Sequence, residues 1–207
     1  MNREEILKAQ NTKILELAEN LRIAYQLKKT IRYAGTRDLS IHGESVAEHI
    51  FALLFLTQYF LPLEDPQEKL DRLKIYEIIL YHDFGEIPNG DIPYHLKTED
   101  HEKQEEEDAK KVFSSFPEPL SDTGLKRWRE YHQLRTPEAL FVCALDKIEP
   151  TFELLDPVGE TSLKRTKFTY KDHIEKKIKA TEGFPVMRKF VDAISEHLKN
   201  KKAFWDE

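Results

Sequence analysis

An all-α fold, organised as one domain over residues 1–207, is predicted by three features of this sequence. Apolar residues recur at helical spacing along almost the whole chain. No stretch alternates with the period of two that a half-buried strand needs. Helix-start signatures stand in front of several apolar runs. The chain has 207 residues, 40% of them hydrophobic and 11% aromatic, which is enough for a core and excludes a disordered chain. No internal repeat or linker breaks it.

Ile6, Ala9, Ile14, Leu17 and Leu21, with Lys13 as a charged intruder, predict a first amphipathic helix. A polar loop containing Gly35 and Gly43 follows, roughly 30–44. Ser45-Val46-Ala47-Glu48 is a capping box, with Ser45 as N-cap and Glu48 reaching back from N3. It opens a helix predicted to end near Leu61, stopped by Pro62. A third helix is expected from Pro66 to Asp83, carrying Ile75, Tyr76, Ile78 and Ile79. Gly85, Pro88, Gly90 and Pro93 make 84–96 a loop. From Thr98 to Phe113 the pairs Glu99–Lys103, Glu106–Lys110 and Glu107–Lys111 predict a solvated helix, ended by Pro117 and Pro119. A short helix is expected from Gly124 to Leu134. Thr136-Pro137-Glu138 starts another, to about Glu153, with threonine as N-cap and proline at N1. Helices near Lys167–Ala180 and Pro185–Lys199 close the chain.

Composition excludes several classes of function. With 32 basic and 38 acidic residues the net charge is −6, opposite to the basic surface that coats a nucleic acid polymer. The single cysteine, Cys143, excludes an internal disulfide framework and a cysteine-rich zinc cluster. Gly85 and Gly90 have the spacing of a phosphate loop, but Asp91 stands where its lysine must be. The first five residues lack the apolar stretch of a secretory signal, and Ile50–Leu63 falls short of a membrane span. A soluble, cytoplasmic protein without a membrane partner is therefore expected.

The chemistry concentrates where histidines stand in apolar helices beside carboxylates. His82-Asp83 closes the run Ile78-Ile79-Leu80-Tyr81 and leads into a Gly-Pro loop. His49 lies just inside the second predicted helix, before Phe51, Leu53 and Leu54. Asp146 follows Ala139-Leu140-Phe141-Val142-Cys143-Ala144-Leu145, a run that reads as buried. A buried carboxylate is costly unless paired or bound to metal. Two imidazoles and two carboxylates make a divalent-metal set with open positions for water and substrate. Singly, each has a plainer reading: His49 as a core histidine, His82-Asp83 as a helix-end cap, Asp146 as a partner of Lys147. The order His, His-Asp, Asp is what favours metal.

That order resembles the signature of the HD-domain metal-dependent phosphohydrolases, an all-α family. Glu44-Ser45-Val46-Ala47-Glu48-His49, Tyr81-His82-Asp83-Phe84-Gly85-Glu86, Asn89-Gly90-Asp91-Ile92-Pro93, Thr136-Pro137-Glu138-Ala139 and Asp146-Lys147 resemble its 5′-deoxynucleotidase branch. The resemblance spans roughly residues 15–155 and leaves the last fifty without a motif. It implies a divalent cation, Mn²⁺, Co²⁺ or another transition ion with Mg²⁺ as an alternative, on His49, His82, Asp83 and Asp146. It implies Glu86 and Asp91 as catalytic acids, and Arg32, Tyr33, Asp91, Ile92, Pro93 and Tyr94 at the substrate. Tyr33 departs from the tryptophan common in the branch, and Arg37 rivals Arg32 for the phosphate.

Elementary chemistry agrees with this assignment. Glu86 lies three residues beyond Asp83, so a continuing turn would place it on the same side to steer or deprotonate water. Asp91 would protonate the leaving 5′-oxygen or assist the metal, and an arginine offers a forked donor to phosphate. The plainer readings are a helix-end carboxylate for Glu86 and a turn former for Asp91. The expected reaction is release of phosphate from (deoxy)nucleoside 5′-monophosphates. The alternatives are another nucleotide, such as a guanosine polyphosphate alarmone, or a nucleotide sensor without turnover. His101 and His132 lack the apolar setting of a second metal site. Phe184, Val186, Phe190 and Phe204, with the dimeric habit of the branch, suggest a homodimer.

Overall fold

The computed structural model describes residues 1–21, 45–88, 98–156, 163–164 and 167–206. Among these the regular elements are helical, with no strand. In chain order they are α1 (Arg3–Lys8), α2 (Asn11–Leu21), α3 (Val46–Glu64), α4 (Arg72–Tyr81), a 3₁₀ turn (Phe84–Glu86), α5 (Glu99–Ser114), α6 (Leu120–Gln133), α7 (Pro137–Glu153), α8 (Tyr170–Ala180) and α9 (Pro185–Asn200). Two units of dense internal contact emerge: residues 1–68 with 144–207, and residues 69–143.

In the first unit α9 is the hub, with α1, α2, α3 and α8 packed on it. Its face carries Val186, Met187, Phe190, Val191, Ile194 and Leu198, all fully buried. Phe60, Phe152 and Phe190 meet ring to ring, with centroids 5.1–6.3 Å apart. Each such side chain contributes ~1.5–3 kcal/mol of burial. Glu64, at the end of α3, accepts a hydrogen bond from the Met187 N–H at 2.8 Å, satisfying a donor in the first turn of α9. Burial nonetheless pushes its carboxyl up to about 7, against the backbone hydrogen bonds and Arg3. Thr169 and Asp172 form a capping box at the start of α8. On that helix His173 is buried, with Nε2 2.9 Å from Ser195 Oγ and its ring against Phe204.

In the second unit Tyr81, Ala109, Phe113 and Trp128 form the core, flanked by Phe84, Phe116 and Leu125. Gly124 lets α6 approach α5: a Cβ there would lie 2.3 Å from Phe113 Cε1. Lys74 bridges Glu130 at 2.6 Å and Glu138 at 3.0 Å, while Arg127 joins Glu77 to Glu130 at 2.7 and 2.9 Å. This network ties α4, α6 and the start of α7 together.

Several boundaries differ from the sequence reading. The first helix is two, because Ala9 is extended and both pieces turn apolar residues, Ile6 and Ile14, onto buried positions. Pro62 does not stop α3, which runs to Glu64. A proline in the last turn removes one N–H, and Asp65 N–H still reaches Leu61 O at 2.9 Å. The next helix starts at Arg72 rather than Pro66, since Glu68 has φ 52° and Asp71 accepts from Lys74 N–H as N-cap. At 19 residues α3 is also long and apolar enough to cross a membrane by length and composition. Ala52, Leu53, Leu56 and Phe60, all fully buried, make it a core helix of its unit. Val186, Phe190 and Phe204 are likewise core, so they leave no apolar surface for a dimer.

Candidate metal centre

The first unit supplies His49, Asp146 and Glu149. The Ser45 box is formed: Glu48 N–H donates to Ser45 Oγ, and Ser45 N–H donates to the Glu48 carboxylate at 2.8 Å. His49 follows in the first turn, its N–H bonded to Ser45 O at 3.0 Å. Its ring lies between two carboxylates of α7, with Nδ1 3.0 Å from Glu149 Oε2 and Nε2 3.1 Å from Asp146 Oδ1. Asp146 and Glu149 are three residues apart and so share a helix face. Glu149 is fully buried. Burial alone would push the His49 pKa down, but the two carboxylates outweigh it and raise it to about 11. Lys147 Nζ donates to Asp146 Oδ2 at 2.6 Å.

The second unit supplies His82 and Asp83. His82 ends α4, with its N–H on Ile78 O and its ring edge-on to Tyr131. Its Nδ1 lies 2.8 Å from the Ile79 carbonyl oxygen. A carbonyl only accepts, which assigns the proton to Nδ1. Nε2 then faces Asp83 Oδ2 at 3.2 Å. The chain continues as the 3₁₀ turn, and Glu86 N–H bonds Asp83 O at 3.0 Å. Three residues per 3₁₀ turn place Glu86 on the side of Asp83. Gly85 suits the close approach there, because an added Cβ would press on Glu105 and Trp128 at 3.0–3.1 Å.

The donor chemistry suits a divalent ion. In each unit one histidine nitrogen is tied to an outer acceptor, Glu149 or the Ile79 carbonyl, and Nε2 faces an aspartate at 3.1–3.2 Å. That is how outer hydrogen bonds orient metal-binding imidazoles. A neutral Nε2 lone pair opposite a carboxylate is repulsive unless a cation, proton or metal, stands with them. Nitrogen plus carboxylate donors match a borderline transition ion.

The structure brings His49 together with Asp146, and His82 together with Asp83. Arg32, Tyr33, Arg37, Asp91, Ile92, Pro93 and Tyr94 lie outside the described residues. His101 is engaged in capping α5, where Thr98 N–H donates to its Nδ1 at 3.2 Å. His132 lies tilted against Trp128, with ring centroids 4.0 Å apart and planes at 35°. Sequence reasoning missed Glu149, although a charge between Ile148 and Phe152, three residues after Asp146, was a usable signal.

The HD domain family model matches residues 24–188. The chain is 34% identical over 130 residues to the 5′-deoxynucleotidase HDDC2 of Dictyostelium discoideum, a match covering 58% of this chain and 67% of that protein. It is 30% identical over 131 residues to the 5′-deoxynucleotidase YGK1 of Saccharomyces cerevisiae, covering 60% and 59% respectively. The fold is similar to the crystal structure of a predicted metal-dependent phosphohydrolase from Magnetospirillum magnetotacticum. The TM-score is 0.66 at 20% identity, over 90% of this chain and 95% of that one.

Proposed function

Because the chain belongs to the HD-domain family, we propose that it is a metal-dependent phosphohydrolase releasing phosphate from (deoxy)nucleoside 5′-monophosphates, with residues 1–207 acting as one domain. The observation that carries the reading is the histidine geometry: in both units a ring is oriented from its far nitrogen so that Nε2 meets an aspartate. The relatives named as 5′-deoxynucleotidases support the substrate class.

In this reading His49, His82, Asp83 and Asp146 hold one divalent ion, Mn²⁺, Co²⁺ or a related metal. When bound, the ion supplies Lewis-acid polarisation of a phosphoryl oxygen and acidifies water. Glu149 and the Ile79 carbonyl keep the two imidazoles in their ligating tautomers. Glu86 orients the attacking water and accepts its proton as the new P–O bond forms. Asp91 delivers a proton to the 5′-oxygen as the old P–O bond breaks, so a neutral nucleoside leaves. Arg32, with Arg37 as its rival, grips the phosphate oxygens, and Tyr33, Ile92, Pro93 and Tyr94 border the nucleoside.

A homodimer and a cytoplasmic location complete the proposal. Leu73 and Leu80, seven residues apart on α4 and 68% and 42% exposed, offer an apolar stripe for self-association. Light scattering tests the dimer and cell fractionation the location. The activity is tested by phosphate release from a panel of nucleotides with Mn²⁺ or Co²⁺, alongside metal analysis. Deoxynucleoside monophosphates should be cleaved only with metal. Release from none of them, with metal bound, would overturn the substrate class.

A further inference from the structure

We propose that a cleft on helix α6, in the second unit, is an anion site that takes a phosphoanhydride chain, as carried by inorganic polyphosphates and nucleoside triphosphates. The proposal does not depend on the metal reading, and none of the residues assigned to that centre lines this cleft.

The cleft holds about 440 Å³ along α6 and the link to α7, and Lys126, Arg129, Gln133, Arg135 and the apolar Leu125 line it. That size falls in the ~300–1,000 Å³ range of small-molecule sites, which favours a small ligand over an acidic protein partner. Lys126, Arg129 and Arg135 are exposed, and none of their side chains joins an ion pair or hydrogen bond with another described residue. In a chain of net charge −6, three such cations on one cleft run against the charge of the whole.

The acids beside them do not neutralise them. Glu130 also lines the cleft, but Lys74 at 2.6 Å and Thr136 Oγ at 2.6 Å take its Oε1, and Arg127 at 2.9 Å takes its Oε2. Asp122 stands one turn before Lys126, at the spacing of a helical ion pair, yet forms none among the described residues. Nor does the helix dipole explain the cations. Its pull is confined to the last turn of α6, where His132 is the basic residue, and Lys126 and Arg129 precede that turn. What remains is mutual repulsion, which an anion in the cleft relieves.

The spacing selects the anion. Lys126, Arg129 and Gln133 are three and four residues apart and so share one face of α6. At 1.5 Å per residue the row is about 10 Å long, more than one phosphate group can bridge. Linked phosphates present oxygens to each donor in turn: the Lys126 ammonium, the forked Arg129 guanidinium and the Gln133 amide, with Arg135 closing from beyond the helix end. Leu125 offers an apolar wall to a base carried on the chain.

The test uses the full-length protein in EDTA, because a polyphosphate would otherwise chelate the metal. It is titrated in a calorimeter with inorganic tripolyphosphate, orthophosphate, ATP and a short poly-glutamate. Tripolyphosphate should bind roughly tenfold or more tightly than orthophosphate, since it engages several donors rather than one. Arg129→Gln and Arg135→Gln should each weaken it roughly tenfold, the scale of one charge-assisted contact, and the double variant more. Both side chains are exposed, so the variants should keep the wild-type helical circular dichroism. Lys8→Gln, at an exposed position of α1, changes the net charge equally and should leave binding unchanged. ATP that binds more tightly than tripolyphosphate names a nucleotide as the source, and otherwise the source is the inorganic chain; both support the site when the arginine variants weaken binding. Absent tripolyphosphate binding, binding indifferent to both arginines, or an equal loss in Lys8→Gln overturns the proposal. Poly-glutamate that binds where tripolyphosphate does not assigns the cleft to an acidic protein partner and overturns it too.

Discussion

Acid stability should hinge on two groups, one buried and one half-buried, that pull in opposite directions. His173 is fully buried, and burial first, then Lys177, push its pKa from the ordinary 6.5 to about 2. The unfolded chain takes up a proton near pH 6.5 and the folded chain does not. Stability from this group is therefore complete above pH 6.5 and is lost as pH falls, at about 1.4 kcal/mol per pH unit. From pH 6.5 to 4.5 the loss is about 2.3 kcal/mol, a large part of a typical ~5–15 kcal/mol. Glu64 does the reverse. Its folded pKa of about 7 exceeds the ordinary 4.5, so the folded chain binds the proton more tightly. Its contribution grows as pH falls through the same window, with a smaller slope because solvent screens a partly exposed carboxyl. The wild type should show a shallow profile in which each group masks the other. The assay is urea unfolding of wild type, His173→Gln and Glu64→Gln between pH 4.5 and 7, reading the difference from wild type so that other titrations cancel. Wild type minus His173→Gln should decline by about 1.4 kcal/mol per unit on acidification, and wild type minus Glu64→Gln should rise. A pH-independent difference for His173→Gln would refute the reasoning.

Gly124→Ala forces a methyl to within 2.3 Å of the Phe113 ring and should destabilise by ~1–3 kcal/mol despite better helix propensity, visible as a lower Tm in calorimetry. Asp83→Ala should lose metal and activity together while the helical circular dichroism survives; full metal occupancy with turnover would show the ligand assignment to be wrong. Glu86→Ala and Asp91→Asn should keep metal and near-normal nucleotide binding but turn over ~10²-fold more slowly, measured in single-turnover kinetics. Arg32→Ala should raise KM as well, and if Arg37→Ala does so instead, the phosphate contact belongs to Arg37.

Local signals were legible and long-range ones were not. The Ser45 and Thr136 starts depend on side chains within three residues of the backbone they cap, and both form as the sequence implies. The His82-Asp83 pair was readable because two polar residues close an apolar helix. Ala9 gave no warning, since alanine is the best helix former and the break serves packing on α9 rather than propensity. Pro62 misled because its penalty falls mainly on one hydrogen bond near a helix end. Among the expected pairs of α5, Glu106–Lys110 forms at 3.2 Å, but Lys111 turns to Asp108 at 3.3 Å, since a surface lysine has several acids in reach. Glu149 reaches His49 across helices far apart in sequence, which spacing along one helix does not encode.

The first unit is assembled from both ends of the sequence, and that has a consequence for biosynthesis. The intervening unit, residues 69–143, is continuous and can close as soon as it is made. Helix α3 has to wait. Phe60 is covered by Phe190, and Glu64 waits for the Met187 N–H, 123 positions later. At a synthesis rate of ~5–20 residues per second, the apolar side of α3 stands uncovered for roughly ten seconds on every nascent chain. During that interval a 19-residue helix long and apolar enough to enter a bilayer is presented to the ribosome exit, to chaperones and to membranes alike. A truncation that removes α9 would make that transient exposure permanent, turning a core helix of the unit into its aggregation site.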